Sequence, residues 1–89
     1  VQVDAIRWTG HRCRVDYVPA EADIVAEIRL RPADASSTVG GPKSATEPGE
    51  IKILVDEEQA PGGAAAWVVL LDQSGGVLAQ AQTTVGGAE

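Results

Sequence analysis

The chain of 89 residues has no phenylalanine, no methionine, one tyrosine, two tryptophans, one histidine and one cysteine. Each scarcity excludes something. A lone cysteine cannot close an internal disulfide, so a domain this small must draw its stability from a tidy core or from a partner. An unpaired thiol also points toward a reducing compartment. With aromatics at 3%, the core has to be aliphatic, and Trp8 and Trp67 are its largest candidate pieces. No apolar run approaches the length of a membrane-spanning helix, which argues against an integral membrane role for this segment. Residues 1–20 lack the basic, apolar and small-residue layout of a signal peptide.

Positive charge is scarce too, and unevenly placed. The net charge is −6, which disfavours nucleic acid and anionic membrane, since both need clustered Lys and Arg. Arg7, Arg12 and Arg14 against Asp4 leave residues 1–14 at +2. No Lys or Arg follows Lys52, whereas Asp56, Glu57, Glu58, Asp72 and Glu89 bring the remainder to −5. A mildly basic region and an acidic one could complement each other between copies of the chain.

What is present is alternation of period two. In "HRCRVDYV", residues 11–18, Cys13, Val15 and Tyr17 share one face, and Arg12, Arg14 and Asp16 share the other. That is a half-buried strand. It also accounts for His11 and Cys13, the only pair of their kind. Cys13 faces inward as a small hydrophobe. His11 follows the turn-forming Thr9-Gly10; a metal site would need more ligands, and of the nearest candidates, Asp4 and Asp16, the strand reading turns Asp16 away from Cys13. "VQVDAIRW" at the start has no clean apolar face, which predicts a bulge or an edge position.

Residues 20–31, "AEADIVAEIRLR", fit two patterns. As a strand, Ala22, Ile24, Ala26, Ile28 and Leu30 form one apolar face. As a helix, leading acids and closing arginines suit the dipole, but the stripe reduces to Ile24, Val25 and Ile28. The period-two matches and β-branched residues favour the strand; a helix here would make the fold α+β. Residues 32–50 are rich in Pro, Gly, Ser and Thr, with Val39 the one sizeable aliphatic and Lys43 the one basic residue. They read as a long flexible loop or a partner-contacting arm. Gly40-Gly41 lacks the spacing of a phosphate loop.

"EIKILVDE", residues 50–57, points Ile51, Ile53 and Val55 inward and leaves Leu54 outside, between Lys52 and Asp56. "AAWVVLLD", residues 65–72, is apolar on both faces, so both must be covered. A second subunit could supply the cover over Val68 and Leu70. "QSGG" at 73–76 turns the chain into "VLAQAQTTV". The expectation is all-β: one antiparallel β-sandwich of about six strands over residues 1–85, with a loose tail at 86–89.

The strand count, the aliphatic alternation and the closing hairpin "WVVLLDQSGGVLAQAQTTV" resemble an immunoglobulin-like or fibronectin-type-III-like sandwich. Trp67 resembles the core tryptophan such domains carry. The Cys…Trp…Cys arrangement of antibody domains is missing, because Cys13 is alone. The resemblance implies an adhesive or decorating module. Stand-alone sandwiches of this size are similar to phage capsid decoration and accessory proteins, which favours a virion or cytoplasmic location over secretion.

Chemistry is thin. The acids Asp56, Glu57 and Glu58 sit at a strand end and read as a solvated turn, with calcium as the sharper alternative. No nucleophile, base and polarising group come together. No cofactor is expected. The leading expectation is a non-catalytic protein that docks onto itself or onto a large scaffold such as a capsid. Its interface candidates are Val68, Leu70, Leu54, Val39, Lys43, Arg12 and Arg14. A carbohydrate- or calcium-binding module is the alternative, and a small enzyme subunit the third.

Overall fold

A computed structural model describes residues 1–18, 20, 23–45 and 47–86. The chain is all-β. Its strands are β1 (Gln2–Thr9), β2 (Arg12–Val18), β3 (Val25–Arg29), β4 (Thr38–Ser44), β5 (Glu50–Leu54), β6 (Ala65–Leu71) and β7 (Val77–Thr84). They form two antiparallel sheets, β1-β2-β5 and β4-β3-β6-β7. Between the sheets lies a core of small and branched aliphatics, and Val15, Ile28, Ile51, Val68 and Leu70 are completely buried in it. Burying one such side chain stabilises by roughly 1.5–3 kcal/mol, so this row outweighs any surface contact in the molecule.

The alternation predicts which side chains enter that core. Cys13, Val15 and Tyr17 of β2 are buried while Arg12, Arg14 and Val18 are exposed. Ile51 and Ile53 of β5, and Val55 just after it, are buried, and Leu54 stands outside. Residues 25–29 are strand, and no α-helix forms among the described residues. Of the inward row expected there, Ile24, Ala26 and Ile28 are buried, Leu30 is exposed, and Ala22 lies outside the described residues. The register of β1 against β2 shifts between Val3 and Ala5. That bulge carries parity across an extra residue, so Val3, Ile6 and Trp8 all pack against the core.

Three expectations change. First, the described residues form seven strands, because residues 38–44 form β4 instead of remaining loop. Val39 enters the core from it, and a 3-10 turn, Ala35–Ser37, precedes it. The segment read as loop because its glycines serve close approach. A Cβ on Gly40 would stand 3.0 Å from Ile53 Cγ2, and one on Gly41 (φ +82°) 2.7 Å from the Ala26 carbonyl oxygen. These glycines let β4 cross close to β5, where Gly40 bridges to Val55.

Second, β6 faces the other way round. Ala66, Val68 and Leu70 point into the core, and Trp67, Val69 and Leu71 point outward. Trp67 is half-buried on the outer face and is no core tryptophan. Third, no second subunit is needed to cover β6. Val69 is completely buried within the single chain, between its cross-strand neighbours Glu27 and Gln80. Long polar side chains flank it, and Glu27 is held by Arg29 at 2.7 Å. Of the expected tail at 86–89, residues 87–89 lie outside the described residues.

Candidate functional site

The chemistry-bearing residues weighed from sequence stay apart in function. Cys13 is buried at 1% exposure, and burial pushes its thiol up to about 12. A thiol held neutral there is no nucleophile. His11 sits in the two-residue turn between β1 and β2, after Gly10 with φ +59°. Its Nε2 is buried with no hydrogen-bond partner. Among the described residues, no group of three His, Cys, Asp or Glu is placed to hold a metal ion. Asp34 and Asp72 have carboxyls held below the usual range, chiefly by the hydroxyls of Ser36 and Ser74 that donate to them. Both carboxylates organise their own turns: Asp72 Oδ1 accepts from the Ser74 and Gly76 amides at 2.9 and 2.8 Å.

The charged residues, in contrast, converge. The outer face of the three-stranded sheet carries three cross-strand rows: Thr9–Arg12–Leu54, Arg7–Arg14–Lys52 and Ala5–Asp16–Glu50. Gly41, Pro42 and Lys43 of β4 border the face, and with the first two of these rows they line a groove of about 770 Å³. Arg7, Arg12, Arg14, Lys43 and Lys52 line this groove, five of the seven Lys and Arg residues in the chain. Leu54 stands among them at 70% exposure, the most exposed large hydrophobe described.

The face is only partly self-neutralised. Arg14 reaches Asp16 and Glu50, each at 3.3 Å, and Lys52 reaches Glu50 at 3.6 Å. Such exposed pairs contribute little to stability. Arg7, Arg12 and Lys43 make no ion pair among the described residues. Beside the groove lies a second hollow, lined by His11, Thr38, Val39, Asp56, Glu57 and Gln59, among others. Leu54 and Gly41 line both hollows, so they mark the border between a basic surface and an acidic one.

Of the seven interface candidates, Arg12, Arg14, Lys43 and Leu54 therefore meet on one face. Val68 and Leu70 do not join them. Both are completely buried between the sheets, and a docking residue must be accessible. Val39 is likewise a core residue. Arg7 and Lys52 belong to the face and were missed. Lys52 shares the parity of Leu54, but nothing local states that β5 pairs with β2, and that pairing creates the patch.

Comparison with known proteins finds no matching family model, no matching curated protein and no matching solved structure.

Proposed function

We propose that this chain is a non-catalytic interaction module that docks through the outer face of its three-stranded sheet onto an acidic protein surface. One observation carries the reading: five of the seven basic side chains gather around an exposed leucine in a chain of net charge −6. Without a partner, that gathering has a cost, because like charges repel and Leu54 wets. With a partner, cations rim an apolar anchor, the layout of a protein interface. The strand order, with the first, second and fifth strands opposite the other four, supports an immunoglobulin-like or fibronectin-type-III-like sandwich. The outward Trp67 departs from that type. A larger assembly, such as the shell of a virion, is the kind of scaffold such a module decorates.

The test is amide chemical-shift mapping with an aspartate- and glutamate-rich peptide containing one leucine. Saturable shifts confined to residues 7, 12, 14, 43, 52 and 54 are expected. Shifts scattered over the molecule, or none at millimolar peptide, would overturn the reading. So would equal or tighter binding of duplex DNA at the same salt, which would make the face a phosphate surface.

A further inference from the structure

We infer that the occupant of this face is a second copy of the chain, placed by a twofold axis that crosses the strand direction near Leu54. The inference rests on the docking reading above and names its partner. It starts from the sequence around the most exposed hydrophobe: Lys52, Ile53, Leu54, Val55, Asp56. The basic groove lies on the Lys52 side of Leu54 and the acidic hollow on the Asp56 side. A surface basic on one side of an apolar point and acidic on the other is complementary to itself under a twofold rotation. Leu54 then meets its own copy, and the basic rows of each chain face the acidic turn of the other.

The acidic turn suits that role. Asp56, Glu57 and Glu58 are all exposed, and none makes an ion pair among the described residues. The Asp56 carboxylate holds the turn by accepting from the Glu58 amide at 2.9 Å. Among the described residues, three carboxylates without an ion pair thus match three cations without one, Arg7, Arg12 and Lys43. A standard interface takes roughly 800 Å² from each partner, about one sixth of the 5005 Å² this chain exposes. Exposed charges carry most of the pairing, so the dimer is salt-sensitive and forms at high concentration.

The experiment is molar mass by light scattering from 10 µM to 1 mM, at low and high salt, on the wild-type chain and two charge-reversed variants. The wild type should rise from 9.2 kDa toward twice that at low salt and fall back at high salt. Arg7→Glu with Arg12→Glu, and Glu57→Lys with Glu58→Lys, reverse exposed side chains that make no ion pair among the described residues, and should each remain monomeric with an unchanged melting temperature. Mixed in equal amounts, the two variants should associate again, because each reversed surface then faces its complement twice. Zero-length carbodiimide coupling adds a positional readout. Lys43 and Lys52 are the only lysines, so wild-type coupling between isotope-labelled and unlabelled chains should join them to Asp56, Glu57 or Glu58. A wild type that stays monomeric at 1 mM overturns the twofold pairing, as does a mixture that fails to associate. If the acidic peptide still maps to the face in that case, the docking reading stands and only its partner is wrong; if neither binds, both fall.

Discussion

The outer faces of the two sheets each place an aliphatic residue among charged and polar neighbours, and they treat it in opposite ways. On the four-stranded sheet, Val69 is completely buried, with Glu27 and Gln80 as its neighbours across the strands. Arg29 closes that side. It pairs with Glu27 at 2.7 Å, donates to the Pro32 carbonyl oxygen at 2.9 Å, and is itself only 7% exposed. On the three-stranded sheet, Leu54 has Arg12 as its neighbour and is 70% exposed. The difference lies in strand position and local charge. β6 is a central strand, so Val69 has a neighbour on each side, whereas β5 is an edge strand and Leu54 has one cross-strand neighbour, the cation Arg12. A face that satisfies itself has finished folding; a face that does not is available.

The largest loss is expected in the layer both faces share. Leu70→Asp or Val68→Asp places a carboxylate in the completely buried core, at a cost of about 4 kcal/mol or more, which unfolds a small domain. Loss of the circular-dichroism melting transition is the expected result. A folded variant with weaker association would return these residues to an interface.

On the self-satisfied face, Arg29→Ala strands the Glu27 carboxylate at 13% side-chain exposure and should cost about 3 kcal/mol. Denaturant melts measure it, and the double variant with Glu27→Gln should recover part of the loss. If Arg29→Ala costs no more than Arg31→Ala, whose pair with Asp34 is exposed, the face is not held by its ion pair.

Alkali probes the core beneath the open face. Burial raises the Cys13 thiol to about 12 in the folded chain, against an ordinary 9.0. Between those values the unfolded chain has lost a proton that the folded chain retains, so stability falls as pH rises. The slope in that window is at most about 1.4 kcal/mol per pH unit, and the thiol's contribution to stability is fully present below pH 9 and lost as pH rises toward 12. Cys13→Ala should flatten that slope in melts between pH 8.5 and 11; an unchanged slope would assign it to other groups.

Trp8 Nε1 donates to Thr83 Oγ1 at 2.9 Å, tying β1 of one sheet to β7 of the other. Trp8→Phe removes the bond together with the pyrrole half of the indole, for an expected loss of about 1 kcal/mol or more in a denaturant melt. Thr83→Val should cost about the same, and the two losses should not add. The smallest effect belongs to the open face. Leu54→Ser should change stability by less than about 0.5 kcal/mol. A larger loss would mean that Leu54 supports the fold.

Much of this was legible from residue order. Alternation of side chains along β2 and β5 is imposed by the pleat, so Cys13, Val15, Tyr17, Ile51 and Ile53 could be placed inward without knowing what they touch. The same rule flagged β1 as irregular, and the bulge at Val3 and Ala5 is the reason. It failed where local composition no longer reports environment. β6 is apolar on both faces, so parity could not say which one met the core. β4 reads as loop because Gly40 and Gly41 are there for clearance against β5 and β3.

Residue order alone carries six of the seven strands found among the described residues, the inward faces of β2 and β5, and the excess of acid over base, because each depends on neighbours within a few residues. Only the tertiary structure decided that β5 lies beside β2 and that β4 crosses to its flank. Those pairings bring together Arg7, Arg12, Arg14, Lys43 and Lys52, spread across 46 residues of chain, around one leucine. Charge acts through space, and its placement becomes visible only when the sheets are assembled.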